Sequence, residues 1–149
     1  MNAPVFILSA QLQKDCIVVG NLKLCQVLLL NDANFIWLVL VPRRHDIREI
    51  FELNNADQQQ LLAESSFVGR LITENFPCDK LNIAALGNIV PQLHVHHIAR
   101  RKNDPCWPGV VWGYGQGRAY QDQEKTDILR QLQKALSAHS DFSPAAGTP

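Results

Sequence analysis

Apolar residues follow two periods along this chain. They alternate or run together over five to eight positions in the first third and again near residues 81–99, the pattern of strands. They recur every three or four positions at 56–75 and 122–137, the pattern of helices. Asp15–Val19 and Lys23–Leu30 are predicted strands, with Gly20-Asn21 as the turn signal between them. Phe35–Val41 is a third, reached through Asn31-Asp32-Ala33-Asn34, and its near-continuous apolar run predicts a central strand covered on both faces. Three sequential strands with short links make an antiparallel meander. Pro42 ends it. Ile47, Ile50 and Phe51 predict a short helix within 46–53. Leu61, Leu62, Val68, Leu71 and Ile72 predict a long one from about Ala56 to Asn75, opened by a capping pair Asn55/Gln58 and stopped before Pro77. Leu81–Leu86 and 89–99 are two further strands joined at Gly87-Asn88. Ile128, Leu129, Leu132 and Leu136 mark a last amphipathic helix over 122–137. Val5–Leu8 reads as an edge strand or docking arm, and Val110–Trp112 as a short strand. The fold class is α+β: an antiparallel sheet of about five strands, one main helix across one face, and a C-terminal helix.

Composition changes this picture little. The 149 residues suit one domain, assigned to 1–142, with 143–149 as a disordered tail. Fourteen basic residues balance fourteen acidic ones and no charged block stands out, so neither a nucleic-acid footprint nor an anionic-membrane footprint is present. No apolar run approaches membrane-span length, and Met1–Leu8 lacks the basic start and full apolar core of a signal peptide. The expected location is the cytoplasm. Cys16, Cys25, Cys78 and Cys106 form no CxxC pair and read as reduced thiols.

The candidate chemistry lies in the last predicted strand. Three of the five histidines, His94, His96 and His97, fall within four residues. A strand turns alternate side chains to opposite faces, so Gln92, His94 and His96 share one face while Leu93, Val95 and His97 share the other. A polar row of this kind is costly to bury without partners, which predicts that it faces a cleft. His97, on the apolar face, reads as a structural, hydrogen-bonded histidine. A neutral imidazole has a free lone pair near pH 7 and is a competent nucleophile at phosphorus, given donors around the equatorial oxygens.

Asn82-Ile-Ala-Ala-Leu-Gly87-Asn88-Ile-Val90-Pro91-Gln92-Leu-His94-Val-His96-His97-Ile98-Ala-Arg100 resembles the signature of the histidine-triad family of nucleotide-binding hydrolases and transferases. Aligned on Val90-Pro91, the triad positions fall on Gln92, His94 and His96. Trp107-Pro108 resembles the Trp-Pro segment after the triad strand, and Leu38–His45 the family's strand ending in Pro and a basic pair. The likeness spans roughly residues 15–112 and is that of a divergent, bacterial-type member. It implies the same fold, a two-fold homodimer with joined sheets, no cofactor, and a small-molecule nucleotide as partner. It implies that His94 attacks the α-phosphate of a nucleotide conjugate, forming a nucleotidyl-histidine that water or another acceptor resolves. Phosphate contacts carry over to His96 and Asn82, a plausible one to Asn88, and pocket closure to Trp107, in its own or a neighbouring subunit.

Two positions depart from the family pattern. Gln92 stands where the first histidine belongs and cannot donate a proton as an imidazolium does, though it can still hydrogen-bond a phosphate oxygen or leaving group. Trp37 stands where many members carry another pocket histidine. Asn31 and Asp32 are candidates for the ribose contact. The two departures support an alternative, a catalytically weak or inactive nucleotide-binding regulatory protein. A metal site is disfavoured, because His94 and His96 lack a third ligand at suitable spacing. Arg43-Arg44 reads mainly as solvated surface, Arg100-Arg101-Lys102 equally as a local attractor for phosphate or as a solvated loop, and Trp37 and Trp112 as core or interface. Tyr114–Arg118 reads as a flexible glycine-rich loop.

Overall fold

The computed structural model describes residues 4–147. A helix α1 (Ala10–Asp15) leads into three antiparallel strands, β1 (Cys16–Asn21), β2 (Cys25–Leu30) and β3 (Trp37–Pro42). A 3-10 turn (Ile50–Glu52) and the long helix α2 (Asn55–Asn75) follow. Strands β4 (Lys80–Ala85) and β5 (Val95–Arg100), helix α3 (Asp122–Leu136) and a two-residue strand β6 (Ser143–Pro144) complete the chain. The strands make one sheet in the order β4-β5-β3-β2-β1-β6. The predicted α+β class and meander hold, and β3 is central and buried throughout. Among the described residues no helix is long and apolar enough to cross a membrane.

Helices α2 and α3 both pack on one face. Leu61, Val68, Leu71 and Ile72 of α2, with Ile128, Leu129, Leu132 and Leu136 of α3, meet Val19, Val27, Leu38 and Leu40 of the sheet. Buried Glu64 locks α2 onto the β1–β2 hairpin by accepting from the backbone N–H groups of Leu24 and Cys25 and from Gln60 Nε2. Leu8 and Leu12, Phe35 and Val111 cover Trp37, Val39 and Ile98 on the other face. That second face carries the histidine row.

Several expectations change. Helix α1 carries only one buried residue, Leu12, too short a run for a period to show. Val5–Leu8 pairs with no strand and Val110–Trp112 is irregular. The expected tail from 143 starts ordered, because Ser143 and Pro144 pair with Asn21 and Gly20 of β1; residues 148–149 lie outside the described residues. The sheet therefore has six strands rather than about five. The histidine strand begins at Val95, not 89. Its neighbour β4 ends at Ala85, opposite Val95, and Pro91 has no N–H to offer a ladder.

Candidate functional site

Gln92 and His94 lie in the irregular approach to β5, and His96 lies within it. Pairing of β5 with β3 sets Val39 opposite His96 and Trp37 opposite Ile98, which brings Trp37 diagonally next to His96 on the same face. The His94 and His96 rings stand 5.0 Å apart, centroid to centroid, edge to face. Both histidines are buried, at 6% and 7% exposure, so the row is packed rather than open. His94 lines a cavity. That space of about 360 Å³ is bounded by Arg48, Gly87, Asn88, Pro91, Gln92 and His94, among others.

The hydrogen bonds decide each ring's tautomer. His94 Nδ1 lies 2.6 Å from the Gln92 carbonyl oxygen, which can only accept. In the neutral ring Nδ1 therefore carries the proton and Nε2 the lone pair. Trp37 Nε1–H donates to His96 Nδ1 at 2.8 Å. Indole is donor only, so the neutral His96 ring has its proton on Nε2. Burial first, then the neighbouring His94 and His97, pushes the His96 pKa down to about 4, so this ring is neutral at physiological pH. Trp112 packs edge-on to both His96 and Trp37.

His97 is fully buried on the helix-covered face, as its parity predicts. Its Nδ1–H donates to the Val95 carbonyl and its Nε2 accepts from Ser65 Oγ of α2 at 2.7 Å. Burial pushes its pKa down to about 4 as well. It holds the strand to the helix and is remote from the cavity side.

Gln92 differs most from expectation. Its Oε1 accepts from the Ser9 backbone N–H at 2.8 Å and its Nε2 donates to the Ile7 carbonyl at 2.9 Å. The carboxamide is thus engaged at both ends with the segment before α1, not held out toward a ligand. Its backbone carbonyl, not its side chain, serves His94. Asn82, on β4 opposite Ile98, faces the same side as His96, and its Oδ1 accepts from Arg100 Nη1 at 2.9 Å. Asn88 lines the cavity. Trp107 does not; its ring packs 5.7 Å from the Arg100 guanidinium carbon. Asn31 and Asp32 hold the 118–120 segment by accepting from the backbone N–H groups of Tyr120 and Arg118.

Two further groups escaped the sequence reading. Arg100 is not solvated surface. It is buried in an ion pair with Asp104, with Nε–Oδ2 at 2.8 Å and Nη2–Oδ1 at 3.1 Å. Burial alone would raise the Asp104 carboxyl, but hydrogen bonds from Arg100 and from the Arg101 and Cys106 amides outweigh it and hold the pKa at about 2. The signal was present: Arg100 continues the parity of Gln92, His94 and His96. Arg48, on the cavity wall, had no signal, being one arginine in an irregular segment. Among the described residues no group of three His, Cys, Asp or Glu side chains is arranged to hold a metal ion.

Comparison with known proteins gives the following. The HIT domain family model matches residues 11–103. A histidine triad protein of Bradyrhizobium japonicum is 48% identical, with a TM-score of 0.86, the match covering 89% of this chain and 98% of that one. One from Marinobacter aquaeolei is 46% identical, with a TM-score of 0.88 over 91% and 98% of the two chains. One from Sinorhizobium meliloti is 45% identical, with a TM-score of 0.85 over 88% and 97%. No curated protein matches the chain.

Proposed function

The chain belongs to the HIT domain family, and from that premise we propose that it is a nucleotide-binding phosphohydrolase or nucleotidyl transferase with His94 as nucleophile. The observation that carries the reading is the 2.6 Å bond from His94 Nδ1 to the Gln92 carbonyl beside an open cavity. It leaves Nε2 as the basic nitrogen and aims the ring. Nε2 attacks the α-phosphorus of a nucleotide conjugate. The new N–P bond forms as the bond to the leaving group breaks, and the leaving group departs with the electron pair. Positive charge develops on the His94 ring, where the Nδ1–H···O=C bond strengthens. His96 offers a neutral Nε2–H to a phosphoryl oxygen. Trp37 keeps it in that tautomer, so the substitution at 37 supports a donor role for His96 rather than abolishing the site. Asn88 adds an amide donor at the cavity wall. Water then attacks the nucleotidyl-histidine, the N–P bond breaks, and a nucleoside monophosphate leaves.

The reading includes a homodimer. Strand β4 is the outer strand beside β5, with Ile83 half exposed on it and Leu86 exposed just beyond it, an edge suited to joining two sheets.

The test is mass spectrometry of the protein mixed with an adenosine phosphoramidate, adenosine 5′-phosphosulfate or a diadenosine polyphosphate, quenched at neutral or basic pH. One nucleoside monophosphate on the peptide holding His94, absent in His94→Ala, supports the covalent route. Binding with neither adduct nor product from any of them would favour the regulatory, nucleotide-binding alternative.

A further inference from the structure

Resting on the proposed reading, we infer that this site is specialised for conjugates whose leaving group departs as an anion through oxygen, such as a nucleotide or polyphosphate, and works poorly on conjugates that must release an amine. The inference stands on what surrounds His94. The first triad position holds a carboxamide, which carries no ionisable proton, and both its ends are bound to Ile7 and Ser9. His96 has its Nδ1 occupied by Trp37 and stays neutral; a neutral imidazole N–H is a donor, not an acid. Glu49, the acidic residue on the cavity wall, is exposed and its side chain caps the 3-10 turn. Among the described residues lining the His94 cavity Glu49 is the one carboxyl, and it is engaged in that cap rather than turned to a leaving group.

The two leaving-group classes differ in that one proton. When a P–O anhydride bond breaks, the departing phosphate oxygen keeps the electron pair and is stable as an anion. When a P–N bond breaks, the nitrogen takes the pair and must also take a proton. General acid assistance of that kind contributes roughly 10²–10⁴-fold.

The walls fit the anionic class. Two smaller cavities, of about 290 and 170 Å³, share the Gln92 wall with the His94 cavity. Arg48 lines the first two of the three spaces, and its guanidinium makes no hydrogen bond among the described residues. Arg44 and His45 line the last. Asp46 is paired with His45, and Arg44 with Asp57; the Arg48 charge also acts on the exposed Glu52 carboxylate, but with its guanidinium unbonded it can turn to meet a departing phosphate. The Gln92 clamp on residues 7–9 holds this shared wall in place.

The experiment compares kcat/KM for diadenosine triphosphate and an adenosine phosphoramidate in the full chain and in Gln92→His, Gln92→Ala and Arg48→Gln, with thermal melts to confirm folding. The wild type should prefer the anhydride by roughly 10²-fold or more. Gln92→His should narrow that ratio by raising the phosphoramidate rate, and Gln92→Ala, which loses the clamp but gains no acid, should not. Arg48→Gln should lower the anhydride rate about tenfold, and by more than the phosphoramidate rate. Equal use of both donors by the wild type, or Gln92→Ala raising the phosphoramidate rate as Gln92→His does, would overturn the inference while leaving the His94 nucleophile intact. Turnover of neither donor, with no adduct on His94, would overturn the nucleophile itself and this inference with it.

Discussion

Replacing Arg100 with methionine should be strongly destabilising, because it removes one half of a buried ion pair. The guanidinium and the Asp104 carboxylate are each about 1% exposed and joined by two hydrogen bonds. Removing one partner leaves the other buried and uncompensated, which costs about 3–5 kcal/mol. A carboxyl held at about 2 rather than 3.8 is by itself worth about 2–3 kcal/mol at neutral pH, the same order. For 149 residues the unfolding entropy near the midpoint is about 0.3 kcal/mol/K, so Tm should fall by roughly 10–15 °C. The loss should depend on pH. In the wild type the Asp104 pKa is depressed, so its stabilisation is full above about 4 and disappears as pH falls toward 2. In Arg100→Met the unpaired, buried carboxyl should have a raised pKa, so acid relieves it. The gap between the two proteins should therefore be wide at pH 7 and shrink at pH 3. The double variant Arg100→Met/Asp104→Asn should recover part of the loss at pH 7. Calorimetry at the two pH values measures all of this. A Tm change below about 3 °C at pH 7, or an equal gap at both pH values, would refute the account of the pair.

Other outcomes follow from the same structure. His94→Ala should abolish nucleotide turnover while keeping the wild-type circular dichroism spectrum and changing Tm by only a few degrees; turnover at the wild-type rate would remove His94 from the mechanism. His96 and His97 have folded pKa values of about 4 against an ordinary 6.5, so the unfolded chain binds more protons between those values and stability should fall as pH drops from 6.5 toward 4. Urea midpoints at pH 7, 6 and 5 test this, and His97→Asn should flatten the trend. Trp37→Phe removes the donor to His96 Nδ1 and should cost turnover more than substrate affinity, seen as a lower kcat with little change in KM; an unchanged kcat would mean the tautomer does not matter. Glu64→Leu should destabilise by about 2–4 kcal/mol, because two buried backbone N–H groups lose their acceptor, read from the urea midpoint.

Much of this protein was settled by local pattern. Period-two and period-four apolar runs depend on which face of an element is buried, and that is written in consecutive residues. They were enough for the meander, the central β3, helices α2 and α3, and the opposite facing of His94 and His97. The triad row was equally local, since its residues lie two apart on one stretch of chain. What the tertiary structure decided concerns partners far apart in sequence. Gln92 looked available to a ligand until residues 7 and 9 were brought to both ends of its carboxamide. Trp37 looked like a lost pocket group until β3 paired with β5 and set its N–H on His96. Arg100 looked solvated because neighbouring Arg101 and Lys102 are charged. Its partners are Asn82 on β4 and, in the loop after β5, Asp104 and Trp107. Side-chain hydrogen bonds and buried ion pairs have no period, so no pattern along the chain announces them, and they are what turn a row of imidazoles into a site with fixed tautomers.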